Sequence, residues 1–217
     1  MNTRRIISFD LDGTITDAAF VDAVWLEGIP RIYALKKGIS FENARADVKR
    51  QYDKVGRERL DWYDLRYWIK KFELDVSPKE LLNRYVNRIR TFPEVLATLK
   101  KTQEKGLAQI IISNARREFV DLEIERTNIG HYFESIFSST SDFGLVKKSV
   151  KVFRRVCSIC GIQPQEMVHV GDDRVFDYEV PRKLGICAFY LDRSDRCEGE
   201  NFVHSLEEFS EKLTSSR

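Results

Sequence analysis

Two carboxylates two residues apart, Asp10 and Asp12, close the apolar run 6–9 of this 217-residue chain and are followed at once by Gly13 and Thr14. In an extended strand alternate side chains share a face, so the pair converges on one point where the strand runs out, a geometry suited to a divalent cation. Gly13 permits a tight turn, and the Thr14 hydroxyl holds that turn or donates to an anion. An Asp-rich β-turn would look the same in isolation. Three later stretches decide: Ser113 and Asn114 after the apolar residues 107–112, Lys147 ahead of the run 149–160, and Asp172 with Asp173 after Gly171. Gathering that many acids is costly unless a cation holds them, and hard oxygen ligands without His or Cys favour Mg²⁺. Beside a lysine and a serine hydroxyl, such an ion makes a place for a phosphoryl group, which needs in-line attack, neutralised oxygens and a protonated leaving group. Two aspartates can divide that work, one as nucleophile and one as acid and base.

Each of these residues has a plainer reading. Ser113 could cap the helix that follows it, Asp173 and Asp177 could be acids favoured by a helix dipole, and Lys148 or Lys151 could stand in for Lys147. Arg116, Arg117 and Arg174 lie just past the reactive strands and either reach a second anionic group or are solvated.

The elements that must position these groups follow from the rhythm of the chain. After Asp17 the pattern turns helical for about seventy residues. Helices are expected over 18–27, stopping near Gly28 and Pro30, over 41–54, over 62–72, and from Pro78 to about Arg90. Ser77 and Glu80 form a capping box at the start of the last. From Phe92 onward helix and strand alternate, as in a parallel α/β sheet. Helices are predicted over 93–105, 116–128, 149–160, 175–184 and 206–213, and strands over 107–112, 135–137, 167–170, 186–191 and, at an edge, 202–203. Open α/β sheets bind ligands at the carboxyl ends of their strands, which is where Asp10, Ser113 and Asp172 fall.

Composition bounds the rest. A hydrophobic share of 42%, an aromatic share of 12% and a formal net charge of +2 fit a soluble globular protein and give no reason to expect nucleic acid or a membrane surface as partner. No run is long enough for a signal peptide or a membrane span, and the four cysteines lack the density of a secreted scaffold, so a cytoplasmic protein is expected. Cys157 and Cys160 are spaced as CxxC without a second pair to complete a zinc site, and are read as one helix face. The tryptophans Trp25, Trp62 and Trp68 all lie in the helical block and are read as the core of a small bundle, with one or two lining a substrate pocket as the alternative. The basic run Lys49, Arg50, Lys54, Arg57 and Arg59 is interspersed with acids and reads as a solvated face.

The chain resembles the haloacid dehalogenase-like hydrolase superfamily, specifically phosphatases of the phosphoglycolate phosphatase-like kind. Residues 9–14 look like its first motif, DxDGT, residues 112–115 its second, residues 144–147 the stretch holding the third-motif lysine, with Lys148 where a proline is often found, and residues 170–177 its fourth, GDxxxxD. The order and spacing of all four make the likeness specific. It implies an α/β fold: a Rossmann-like parallel sheet core over 1–16 and 92–217, and an inserted α-helical bundle cap over 17–91. It implies a Mg²⁺-dependent phosphomonoester hydrolase acting on a small phosphorylated metabolite through an aspartyl-phosphate, as monomer or homodimer. Asp10 would be the nucleophile, Asp12 the acid and base, Ser113 and Lys147 the groups that hold the phosphoryl oxygens. Asp10, the backbone carbonyl of Asp12 and Asp172 would bind the metal, with Asp173 and Asp177 orienting ligands or Lys147. Gly13, through its amide, Thr14 and Asn114 are further substrate-binding candidates. Dehalogenases of the family lack an acid at the position of Asp12, so dehalogenation is not expected; a phosphomutase or a non-catalytic binding module on the same fold are the alternatives.

Overall fold

The structure is a computed structural model that describes residues 5–146, 149–194, 196 and 198–215. Its apolar, β-branched runs form one six-stranded parallel sheet in the order β3-β2-β1-β4-β5-β6: β1 (Ile6–Phe9), β2 (Ala108–Ser113), β3 (Ser135–Ser138), β4 (Met167–Gly171), β5 (Cys187–Leu191) and β6 (Phe202–Val203). Strands buried on both faces need apolar side chains at nearly every position, and β1 shows why: Ile7 and Phe9 enter one core cluster, Ile6 the other. The α/β reading therefore holds. Register decides what the sheet presents, because Phe9 lies opposite Ile111 on one side and Val170 on the other. The ends of β1, β2 and β4 are level, and Asp10, Ser113 and Asp172 emerge at the same edge.

The segment between β1 and β2 is helical: α1 (Ala19–Asp22), α2 (Ile29–Lys37), α3 (Phe41–Val55), α4 (Leu65–Lys71), α5 (Pro78–Asn83) and α6 (Val95–Glu104). The first five, together with Phe119 from beyond β2, enclose an apolar cluster in which Trp68 is fully buried. Thr16 and Thr91 form a β-bridge, and the Phe92 amide donates to the Ile15 carbonyl at 3.1 Å, so the two chain crossings into this block run side by side.

Three expectations about the block are corrected. The helix expected to stop near Gly28 and Pro30 runs on, through a π-helical turn (Ala23–Gly28) into α2, and ends only at Gly38 in the left-handed conformation. The π turn shifts the hydrogen-bond pattern where Pro30 has no N–H to give. Gly28 is there for packing, since a Cβ would meet Leu81 and Tyr85 at 2.8 Å. The helix expected over 62–72 is split by Asp64, whose carboxylate accepts from the Arg66 amide at 2.8 Å and caps α4. The Ser77–Glu80 capping box is present, but α5 ends at Asn83 and only a 3₁₀ turn (Val86–Arg88) follows, tightening the chain so that Arg88 pairs with Glu27 at 2.6 Å.

The remaining helices are α7 (Arg117–Thr127), α8 (Ser139–Asp142), α9 (Val150–Cys160), α10 (Val180–Arg182) and α11 (Leu206–Ser215). The first half of the stretch expected as one helix over 175–184 is a π-helical turn (Arg174–Glu179) ahead of the short α10, and α8 has no counterpart among the expected helices. Cys157 packs in the core among Val152, Phe153 and Val156, and no disulfide joins it to Cys160. No helix among the described residues is long and apolar enough to cross a membrane.

Candidate active site

The turn after β1 is closed from within. The amides of Thr14, Ile15 and Thr16 all point at the Leu11 carbonyl, at 3.2, 2.8 and 3.0 Å. Gly13 takes φ +79°, which a side chain would strain, and its amide donates to the Thr16 carbonyl at 2.7 Å. That bond corrects one expectation: the Gly13 amide is occupied by the turn itself and is not on offer to a phosphoryl oxygen. The Thr14 hydroxyl is fully buried and turned toward Asp10 Oδ2, at 3.4 Å, so it addresses the carboxylate rather than a ligand.

Asp10 is 6% exposed. One oxygen each of Asp10, Asp172 and Asp177 lie within 4.8 Å of one another. The set joins Asp177 to the expected Asp10 and Asp172, and it contains neither nitrogen nor sulfur. Two glycines let it assemble. A Cβ on Gly13 would stand 2.1 Å from Asp172 Oδ2, and one on Gly171 would stand 2.4 Å from Asp177 Cγ. An all-oxygen cluster packed over bare backbone fits a small hard cation such as Mg²⁺. Asp177 is itself held: it accepts from the Asp173 amide at 3.0 Å and from His169 Nε2 at 3.1 Å, while His169 Nδ1 accepts from the Ser8 hydroxyl at 2.9 Å, roles assigned from the bonds themselves.

Ser113 and Asn114 follow β2 as expected. Ser113 is buried and its hydroxyl oxygen accepts from the Ala115 amide at 3.0 Å, a bond within the turn and not a cap, since α7 (Arg117–Thr127) starts after Arg116 with no side-chain cap; its own proton is left for another acceptor. Asn114 lines the cavity, and its Oδ1 accepts from the Ser139 hydroxyl at 2.9 Å, which leaves the amide nitrogen as its donor. Lys147 and Lys148 lie outside the described residues, and Lys151 is exposed on α9.

Three residues at this edge were not expected. Glu123 on α7 is fully buried, accepts from the Thr16 hydroxyl at 3.0 Å and lies against Asp12; burial first, then the charge and hydrogen bond of Asp12, push its carboxyl well above the ordinary range. An acid among Phe119, Val120 and Ile124 on the buried face of a helix is a signal the sequence does carry. Arg193, after β5, donates to the Gly13 and Thr14 carbonyls at 3.2 and 2.7 Å and pairs with Glu94 at 2.6 Å, bracing the turn. Nothing in the local pattern marks it. Arg57, read as part of a solvated face, instead crosses from the helical block to Asp173 at 3.2 Å, while Lys49, Arg50 and Arg59 do pair with surface acids. Arg116 and Arg117 pair with Asp64 and Asp142, and Arg174 with Glu179, so none of them stands ready for a second anion by charge alone.

These groups line a cavity of about 250 Å³ that has Asp10, Asp12, Ser113, Asn114 and Asp172 on the sheet side and Arg57, Trp62 and Tyr63 on the helical side. Burial pushes the Tyr63 phenol up to about 12, so it stays a donor. The arrangement juxtaposes a buried carboxylate, a second carboxyl two residues on, a hydroxyl, an amide and a cation site, the set that phosphoryl transfer requires.

Residues 5–185 match the haloacid dehalogenase-like hydrolase family. The chain is similar to GMP/IMP nucleotidase YrfG of Escherichia coli, 26% identical over 168 residues covering 76% of this chain and 73% of that one. It is 28% identical to a phosphoglycolate phosphatase of Aquifex aeolicus over 181 residues, 83% and 81% of the two chains. Among solved structures, a HAD phosphatase from Thermococcus onnurineus superposes with a TM-score of 0.84 at 26% identity, over 96% of this chain and 97% of that one.

Proposed function

The chain belongs to the haloacid dehalogenase-like hydrolase family, and on that premise we propose that it is a Mg²⁺-dependent phosphomonoester hydrolase that works through an aspartyl-phosphate on Asp10. The observation that carries the reading is the convergence of Asp10, Asp172 and Asp177 beside Asp12 and Ser113 at one sheet edge. The phosphatases among the chain's relatives support the reaction class.

In this reading Asp10 Oδ attacks phosphorus and the bond to the leaving oxygen breaks, with the Asp12 carboxyl giving that oxygen a proton. Asp12, now a carboxylate, takes a proton from the water that cleaves the acyl phosphate and returns both aspartates to their starting state. Ser113 and Asn114 donate to phosphoryl oxygens, and Lys147 adds its charge to them. Asp10, the Asp12 backbone carbonyl and Asp172 hold Mg²⁺, which neutralises the crowded oxygens when bound. Asp177, fixed by His169 and the Asp173 amide, keeps the acids in place. Residues 17–91 act as a cap, closed by the Arg57–Asp173 pair, and exclude water from the leaving group while the core, 1–16 and 92–217, carries the chemistry.

The test is phosphate release from a panel of phosphorylated metabolites with and without Mg²⁺. Release that needs Mg²⁺ and vanishes in Asp10→Asn is expected; undiminished release by Asp10→Asn contradicts the nucleophile, and an isomeric sugar phosphate in place of inorganic phosphate contradicts hydrolysis.

A further inference from the structure

Glu123 is a fully buried acid outside both the metal set and the walls of the phosphoryl cavity. It stands on the apolar face of α7 with Phe119 and Val120, and no lysine or arginine among the described residues pairs with it. An apolar residue would pack there at less cost, because a buried carboxyl is destabilising unless its oxygens are met. One oxygen is met: the Thr16 hydroxyl donates to Oε2 at 3.0 Å, nearer than the Leu11 carbonyl at 3.3 Å. The other, Oε1, is sealed from solvent and accepts from no donor among the described residues. The remaining polar group in hydrogen-bond contact with this carboxyl is Asp12. Two carboxyls make such a contact only through a proton, and burial keeps that proton on Glu123.

Asp12 lines two cavities, the phosphoryl cavity and a second of about 220 Å³, which also share Trp62, Tyr63 and Asn114; Glu123 lines neither. An acid that protonates a leaving oxygen belongs between phosphorus and leaving group, and Asp12 stands at that junction. We propose that Glu123 is a positioning residue for Asp12: its Oε1–H donates to the Asp12 carboxyl, aims that acid at the leaving oxygen and meets the charge it acquires. This deepens the phosphatase reading and rests on it for the reaction. When Asp12 gives its proton to the leaving oxygen, the bond from Glu123 becomes charge-assisted and strengthens. When Asp12 takes a proton from the attacking water, the bond relaxes. Glu123 keeps its own proton throughout and touches no substrate. Thr16 completes the brace. Its amide is tied to the Leu11 carbonyl at 3.0 Å and its carbonyl to the Gly13 amide at 2.7 Å, so Glu123 grips the turn that carries Asp12 at two points.

The test is the dependence on the leaving group, which a merely structural role would not move. Phenolate needs a proton as it departs and 2,4-dinitrophenolate does not, so only the first ester draws on an aimed acid. The ratio of kcat/KM for phenyl phosphate to that for 2,4-dinitrophenyl phosphate, with Mg²⁺, is measured for wild type, Glu123→Gln, Glu123→Ala and Glu123→Leu. The folded fraction of each preparation cancels from this ratio. Losing a hydrogen bond to a charged group corresponds to roughly a ten- to hundredfold effect, and the ratio should fall by that factor in Glu123→Ala and Glu123→Leu. Glu123→Gln, whose amide accepts from Thr16 and donates to Asp12, should recover most of it. Equal losses on both esters, or a ratio in Glu123→Gln as low as in Glu123→Ala, overturn the positioning role and leave the phosphatase reading standing. A second readout holds whichever variants fold. In the infrared, the wild type should show a protonated-carboxyl band that Glu123→Gln removes and Asp12→Asn shifts, because its acceptor has changed; a band that Asp12→Asn leaves in place overturns the pairing. If the wild type releases phosphate from neither aryl ester nor any of the metabolite panel, the phosphatase reading falls and the positioning role with it, while the infrared shift still decides the Glu123–Asp12 pairing.

Discussion

Replacing Glu123 by Gln tests the least expected feature of this site. The folded protein keeps a proton on Glu123 that the unfolded chain releases above its ordinary value of 4.5. The native state thus binds more protons than the unfolded state, and stability falls as pH rises from there toward the raised folded value. The contribution is fully present below 4.5 and declines by about 1.4 kcal/mol per pH unit. Gln cannot ionise, yet its amide still accepts from Thr16 and donates toward Asp12. Because 1 kcal/mol moves Tm by about 2–4 °C in a protein of this size, the Tm of Glu123→Gln should gain on wild type by up to about 3–6 °C for each unit as pH rises above about 5 toward the raised folded value. Thermal melts in EDTA, where no divalent ion competes for the neighbouring acids, are the assay. Glu123→Ala, which strips Thr16 of its acceptor, should be less stable than Gln by about 1–3 kcal/mol at every pH. Parallel Tm curves for wild type and Glu123→Gln across that range would refute the assignment of a buried, protonated Glu123.

Gly13→Ala places a Cβ where Asp172 Oδ2 now lies, at 2.1 Å, and strains a φ of +79°. It should raise the Mg²⁺ concentration for half-maximal activity about tenfold or more, while the backbone strain costs about 1–2 kcal/mol in stability; an unchanged Mg²⁺ dependence would remove Asp172 from the metal set. Arg57→Ala breaks a pair whose side chains are 58% and 30% exposed. Such a bridge contributes about 0–1 kcal/mol, so Tm should move little while KM rises severalfold, more so at low salt. An unchanged KM would argue against Arg57 as the closure of the cap.

The strands and their reactive ends were legible because an apolar strand of a parallel sheet leaves little ambiguity: residues 6–14, 107–114 and 167–173 are read from sequence within a residue of where they lie. The Ser77–Glu80 box was legible for the same reason, being a local device with a local signature. Gly28 and Pro30 misled because their usual meaning is a stop, and only the packing of Leu81 and Tyr85 against Gly28 and the π turn ahead of Pro30 make them part of a continuous helix. Arg57 and Arg193 were invisible for a different reason. Their partners, Asp173 and the Gly13 and Thr14 carbonyls, lie 116, 180 and 179 residues away in the chain, and no local pattern records such a pairing. Glu123 lay between these cases, an acid at a buried-face position that periodicity alone could have flagged.

The account depends most on Asp10 taking phosphorus, and acid quenching during turnover with Mg²⁺ followed by borohydride reduction tests that directly. An aspartyl-phosphate is reduced to homoserine, so peptide mass spectrometry reads its position. The account predicts homoserine at residue 10 and at no other acid; efficient turnover with Asp10 unreduced, or reduction confined to another carboxylate, would contradict it.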